Sequence, residues 1–257
     1  MITKDQINSF ARKFKTNEST VYREYLQILF LNKLYRYEKS SQVFFKGGTA
    51  IHFLLGASRF SEDLDFTVTS SEDEFLSLIN SVFKEFVKEG EFSFKERKTI
   101  TGKRFLITAI RDILPYVTFI NLDFSFREKV LQPSRSTFDT VYPVIFTSFI
   151  YHLSSEEICA EKIRALLTRK KGRDLFDLWF LISQGIPINN DLVKEKLKYY
   201  QKTNYTNTEL LNSIKQISKK EFETDMRPFV PMDERSKLME RFEYIQTYLV
   251  NKFTLLS

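Results

Sequence analysis

Between Ser19 and Tyr37 apolar side chains recur at helical spacing, at Val21, Tyr25, Ile28, Leu29 and Leu34. This spacing predicts a helix with Asn17 or Ser19 as its cap. A strand follows over Gln42 to Phe45 and stops at Lys46-Gly47-Gly48-Thr49. The next residues, Ala50 to Leu55, read as a short helix closed by Gly56. From Asp63 to Thr69 the alternation is sharp, with Leu64, Phe66 and Val68 on one face and Asp63, Asp65 and Thr67 on the other. Ser71 to Glu74 forms a capping box that opens a helix to about Glu89, closed by Gly90. Strand-like segments come near 92–95 and 104–110. Residues 117–126 alternate again, Leu122, Phe124 and Phe126 against Asp123 and Ser125.

Beyond Pro143 the period changes to that of helices, near 155–169, 174–183, 191–202, 207–220 and 233–250, with a capping box at Ser154 to Glu157. The predicted fold class is α/β (α+β). A mixed β-sheet flanked by helices occupies 1–145, and a helical bundle occupies 146–257. No internal repeat is visible.

With 42% apolar residues, 26 Phe and only 7 Gly and 6 Pro, the chain has ample core material and is not of low complexity. The first residues are polar, and no apolar run approaches the ~20 residues that span a bilayer. A single cysteine, Cys159, cannot form an internal disulfide, so the cytoplasm is the expected compartment. Two histidines and one cysteine cannot build a zinc site without carboxylates; His52 and His152 read as packed or surface residues. Neither a Gly-x-Ser-x-Gly elbow nor a Gly-x4-Gly-Lys-Ser/Thr loop is present. The formal charge of +6 would attract a polyanion without identifying one.

Candidate chemistry gathers on the first alternating strands. Gly47-Gly48 at a helix start offers backbone N–H groups to phosphates, although a glycine pair alone more often just makes a turn. Asp63 and Asp65 project from one strand face with no base between them. Such a pair repels unless a cation offsets it, and a hard divalent ion is the natural counter-charge. The structural alternative is a solvated strand edge with Arg59 or Lys46 as partner. Asp123, outward on its own strand, is the candidate third metal ligand, with Asp112, Asp139 and Glu128 as competitors. Trp179 and the many Phe residues read as core.

The runs Lys46-Gly47-Gly48-Thr49-Ala50 and Arg59-Phe60-Ser61-Glu62-Asp63-Leu64-Asp65-Phe66 resemble the nucleotidyltransferase signature of the AbiEii/AbiGii toxin family, within the DNA polymerase β-like superfamily. Ala160-Glu161-Lys162-Ile163-Arg164-Ala165-Leu166, continuing through Arg169 to Arg173-Asp174-Leu175-Phe176-Asp177-Leu178-Trp179, resembles that family's second signature. The gap from Gly48 to Asp63 is longer than is usual in the superfamily and suits the toxin branch. Gly48 stands where many relatives carry serine, so Thr49 is the expected source of any hydroxyl contact.

The resemblance implies a transferase moving a nucleoside monophosphate from an NTP to an acceptor hydroxyl, with Mg2+ or Mn2+ on Asp63, Asp65 and Asp123. Lys46, Gly47, Gly48, Thr49, Arg59, Lys162, Arg169, Asp174 and Asp177 are the expected nucleotide-binding residues. Lys162 is also expected to be catalytic, its ammonium suiting a triphosphate. Without the resemblance, Lys162 and Arg169 read as the basic face of an amphipathic helix. The helical domain is expected to complete the active-site cleft. Asp174 and Asp177 lie about one turn apart and are expected to orient Lys162 or Arg173, or to meet nucleotide. RNA, in particular the tRNA 3′ end, is the favoured acceptor, with a companion antitoxin and no membrane. The alternatives are a non-catalytic nucleic-acid-binding module of this fold, transfer to a protein or small molecule, and nuclease or phosphotransferase chemistry on the same carboxylates.

Overall fold

The computed structural model describes all residues except 89, 91, 100, 111, 112, 256 and 257. Glu89, the expected helix end, and Asp112, a competing acid, lie outside the described residues. The chain divides into two compact units, Met1–Gly56 with Phe60–Leu153, and Ala57–Arg59 with Ser154–Ser257.

The first unit contains α1 (Lys4–Lys13), α2 (Glu18–Leu34), β1 (Val43–Lys46), α3 (Gly47–Leu55), β2 (Asp63–Val68) and α4 (Glu72–Val87). It continues with β3 (Phe92–Arg97), β4 (Lys103–Ala109), β5 (Thr118–Ser125), β6 (Pro133–Ser136) and β7 (Ile150–Leu153). Among the described residues these strands form one mixed sheet in the order β3-β4-β5-β2-β1-β7-β6. β2 pairs parallel with β5 and β1 parallel with β7, while the other neighbours run antiparallel.

Local chemistry accounts for the helix starts. Asn17 caps α2 by accepting from the Thr20 amide at 2.8 Å. Ser71 and Glu74 close the reciprocal capping box of α4. The inward phenylalanines weld sheet to helices. Phe66 stacks on Phe124 at 4.8 Å, Phe75 lies 4.6 Å from Phe124, and Phe30 meets both Phe66 and Phe86. Removing any one from this fully buried layer would cost about 3–5 kcal/mol.

Two short strands escaped the periodicity. β7 follows the pattern change placed near residue 145, yet it pairs with β1 and carries β6 at the sheet edge. Four residues are too few for alternation to show, and a partner far away in sequence selects the strand.

The second unit holds α5 (Ser155–Thr168), α6 (Gly172–Ser183), α7 (Asn190–Lys198), α8 (Asn207–Gln216), α9 (Lys219–Met226) and α10 (Leu238–Thr254). The single helix expected over 207–220 is two, because Ser218 and Glu221 build a new capping box that opens α9. Gly172 lets α6 approach α9: a Cβ there would meet the Phe222 Cα at 2.8 Å. A fully buried Lys196 on α7 binds Glu157 at 2.6 Å and Glu161 at 3.1 Å, pinning α7 to α5.

Candidate active site

Strand register assembles the acids. Lys46 of β1 lies opposite Asp65 of β2, and Asp65 lies beside Asp123 of β5. Paired residues share a sheet face, and residues two apart on a strand share it too. Asp63, Asp65 and Asp123 therefore lie on one sheet face, half-buried, opposite the buried Leu64, Phe66, Leu122 and Phe124.

Asp63 is fixed at two points. Thr49, itself fully buried, donates its hydroxyl to the Asp63 carbonyl. The Asn121 side-chain amide, directly across on β5, donates to the Asp63 carboxylate at 2.8 Å. Thr49 thus ties the first turn of α3 to the acid strand.

Gly47 is required for two reasons. Its φ of +78° lies in the left-handed region that side chains disfavour, and a Cβ there would collide with the Asp65 carboxylate, 3.0 Å from both Cβ and Cγ of that residue. Gly47 and Gly48 open α3, and no side chain caps its amides, which leaves N–H groups and the positive helix end next to Asp65. Gly47→Ala is expected to lose on the order of 1–3 kcal/mol of stability through strain. It should also cut metal affinity by displacing Asp65. A thermal melt together with metal titration checks both, and unchanged metal binding would separate Gly47 from the acid site.

Charges of opposite sign sit nearby. Lys46 Nζ lies 3.2 Å from Glu128, both groups nearly buried, so this competing acid is answered by a lysine. Arg104 of β4, directly opposite Asp123, donates from Nε at 3.0 Å and also from Nη2, both onto Oδ2. Its guanidinium is held above its ordinary pKa, by the hydrogen bond to Asp123 first and, more weakly, by the charges of Asp63 and Asp65. Arg104 and Asn121 were not among the expected residues. Alternation marks both as outward, but only register shows which acids they meet.

In the second unit the remaining expected residues form a compact ionic cluster. Arg59, 3% exposed, holds Asp177 with both Nε and Nη2 at 2.6 Å. Lys162 binds Asp177 at 2.7 Å and Asp174 at 3.2 Å. Arg169 grips Asp174 at 2.7 and 2.8 Å while its side chain stays 59% exposed. Burial pushes both carboxyls up, but Lys162 and Arg169 around Asp174, and Arg59 and Lys162 around Asp177, outweigh it and hold both below their ordinary range. The two acids share Lys162 and differ in their second partner: Asp177 joins Arg59 to Lys162, and Asp174 joins Lys162 to Arg169. The histidines have structural partners. His52 lies 3.5 Å from Glu24, and His152 contacts Ser136 at 2.8 Å.

The model of the family described as nucleotidyl transferase AbiEii toxin, type IV toxin–antitoxin system, matches residues 29–248. The chain belongs to the AbiEii family. Solved structures share the fold. MenT4, a nucleotidyltransferase toxin from Mycobacterium tuberculosis, is similar with a TM-score of 0.66 at 18% identity, over 97% of this chain and 94% of that one. JHP933 from Helicobacter pylori is similar with a TM-score of 0.58 at 18% identity, over 93% and 95%. A comparison with curated proteins gave no match.

The chain is thus a member of a nucleotidyltransferase toxin family, and among its described residues no helix is long and apolar enough to cross a membrane. Asp63 and Asp65 offer the hard oxygens a divalent ion prefers, on an accessible face, so this pair fits. Among the described residues no three acid, histidine or cysteine side chains stand together ready for a metal. Asp123, the expected third ligand, is paired with Arg104.

Proposed function

We propose that the protein is a metal-dependent nucleotidyltransferase toxin that moves a nucleoside monophosphate from an NTP to an acceptor hydroxyl on RNA, in particular the tRNA 3′ end. The observation that carries this reading is the in-register placement of Asp63, Asp65 and Asp123 beside the uncapped glycine turn that opens α3. A bound Mg2+ or Mn2+ would be held by Asp63 and Asp65 and would neutralise phosphate charge.

The protein's own groups do the rest. The amides of Gly47 and Gly48 donate to phosphate oxygens at the positive helix end, with Lys46, paired to Glu128, behind them. Lys162 and Arg169 are the further phosphate-binding cations, and Asp174, Asp177 and Arg59 set their direction. Arg169 is the most exposed of these cations. Asp123 accepts the proton of the acceptor hydroxyl. The hydroxyl oxygen bonds to the α-phosphorus, the bond to the bridging oxygen breaks, and pyrophosphate leaves. A toxin of this kind acts in the cytoplasm and has a cognate antitoxin protein.

The test is incubation with each labelled triphosphate, magnesium and total RNA. Label entering RNA is the expected outcome. Label entering protein or a small molecule would replace the acceptor, and label entering nothing would overturn the enzymatic reading in favour of a non-catalytic module.

A further inference from the structure

The row of paired residues that contains the acids continues past them to the sheet edge. Across five strands it runs Lys46, Asp65, Asp123, Arg104 and Arg97. Arg97 lies directly opposite Arg104, and Lys95, two residues back on β3, lies opposite Leu106 on the same face. Like charges directly opposed across strands destabilise a sheet, yet three cations crowd this corner. Asp123 answers Arg104. Lys95 and Arg97 are exposed and make no ion pair among the described residues. The neighbouring acids Glu96 and Glu72 turn to the helix-covered side, where Lys103 binds them at 3.1 and 2.9 Å.

The same face also carries an exposed aromatic ring. Phe119 is 48% exposed and shares the outward parity of Asn121 and Asp123 on β5, roughly 13 Å along the strand from Asp123. Tracking cations beside an aromatic ring suit a single-stranded nucleic acid, whose phosphates pair with the cations while a base stacks on the ring.

We infer that this open sheet face, with Arg104, Arg97 and Lys95 as a phosphate track and Phe119 as a stacking platform, seats the acceptor RNA strand and leads its end to the acids. The inference rests on RNA being the acceptor. Every residue it uses beyond Arg104 lies outside the proposed metal and nucleotide sites.

The test uses full-length protein carrying Asp63→Asn, which holds transfer off, and a labelled single-stranded RNA of about 12 nucleotides. Adding Lys95→Gln with Arg97→Gln is expected to weaken binding about tenfold or more at low salt. The log–log salt slope should shrink by roughly 1.4, two contacts at about 0.7 each. Lys95→Arg with Arg97→Lys should restore both values. Phe119→Ala should weaken binding about fivefold or more through one lost stack and leave the slope alone. Triphosphate affinity and the thermal melt should stay at parent values in all three, which excludes misfolding as the cause. Unchanged RNA affinity and slope in the glutamine variant would overturn the track while RNA stood as acceptor. Absence of RNA binding by the parent protein at low salt would overturn both, with nucleotidyl transfer judged separately by label incorporation.

Discussion

Asp63→Asn and Asp65→Asn are each expected to lower nucleotidyl transfer by a factor on the order of 10³ or more while the protein stays folded. Transition-state charge on a transferring phosphoryl group is what such a site exists to stabilise, and single preorganised groups of this kind carry effects of that size. The fold should survive because neither residue belongs to the core. Both residues are partly exposed, and an asparagine oxygen at position 63 can still accept from Asn121. Removing one of two like charges also relieves repulsion in the metal-free protein, so the melting temperature should hold or rise slightly. Label incorporation and a thermal melt on the same preparation decide the matter. Wild-type transfer in either variant would end the proposal for the acid pair.

Asp177→Ala is expected to have the largest effect on stability, about 3–5 kcal/mol, because it removes the buried carboxylate that Arg59 and Lys162 share. Arg59 is 3% exposed and uses two guanidinium nitrogens on this one carboxylate, and Lys162 keeps only Asp174. Against a total stability of order 5–15 kcal/mol, that loss is a large fraction. The only tryptophan, Trp179, lies two residues on, with its ring edge-to-face against Phe176 at 5.4 Å. Its fluorescence therefore reports unfolding of the second unit directly.

The acid response supplies a second readout. Asp174 and Asp177 have folded-state pKa values below their unfolded values of about 3.9. Their contribution to stability is thus complete above the unfolded value and is lost as pH falls from about 4 through the folded values. Wild type should lose stability steeply below about pH 4, and Asp177→Ala should show a shallower decline because one of the two groups is gone. A variant as stable as wild type at neutral pH, with the same acid profile, would show that the cluster is not what secures the helical unit.

Much of the site was legible in the chain itself. Alternation alone put Asp63, Asp65 and Asp123 on outward faces, and β2 and β5 bear that out. The glycine turn before a short apolar run located the start of α3, and Ser71-to-Glu74 chemistry located α4. These signals are local: a period or a cap is complete within a few residues and owes little to the rest of the fold. The one-turn spacing of Asp174 and Asp177 put both acids near one helix face, but left Lys162 and Arg173 both open as their partner.

What local pattern cannot carry is partnership across the sheet. An outward residue on a strand could face solvent, a base or an acid, and only the neighbouring strand decides. Arg104 reads as one more exposed arginine until register sets it against Asp123. Arg59, weighed as a surface partner for the aspartates, instead belongs to the helical unit, nearly buried on Asp177, a residue far away in the chain. Thr49 looked like a hydroxyl for phosphate and is buried against the Asp63 carbonyl. The same limit hid β7, too short to alternate and defined by β1. Which faces the elements present, and which charges ride on them, follows from the order of residues alone, because side-chain periodicity follows from backbone geometry. Which of those charges meet is set by the assembled fold, because contacts between residues distant in the chain depend on strand order and register, which no local period encodes.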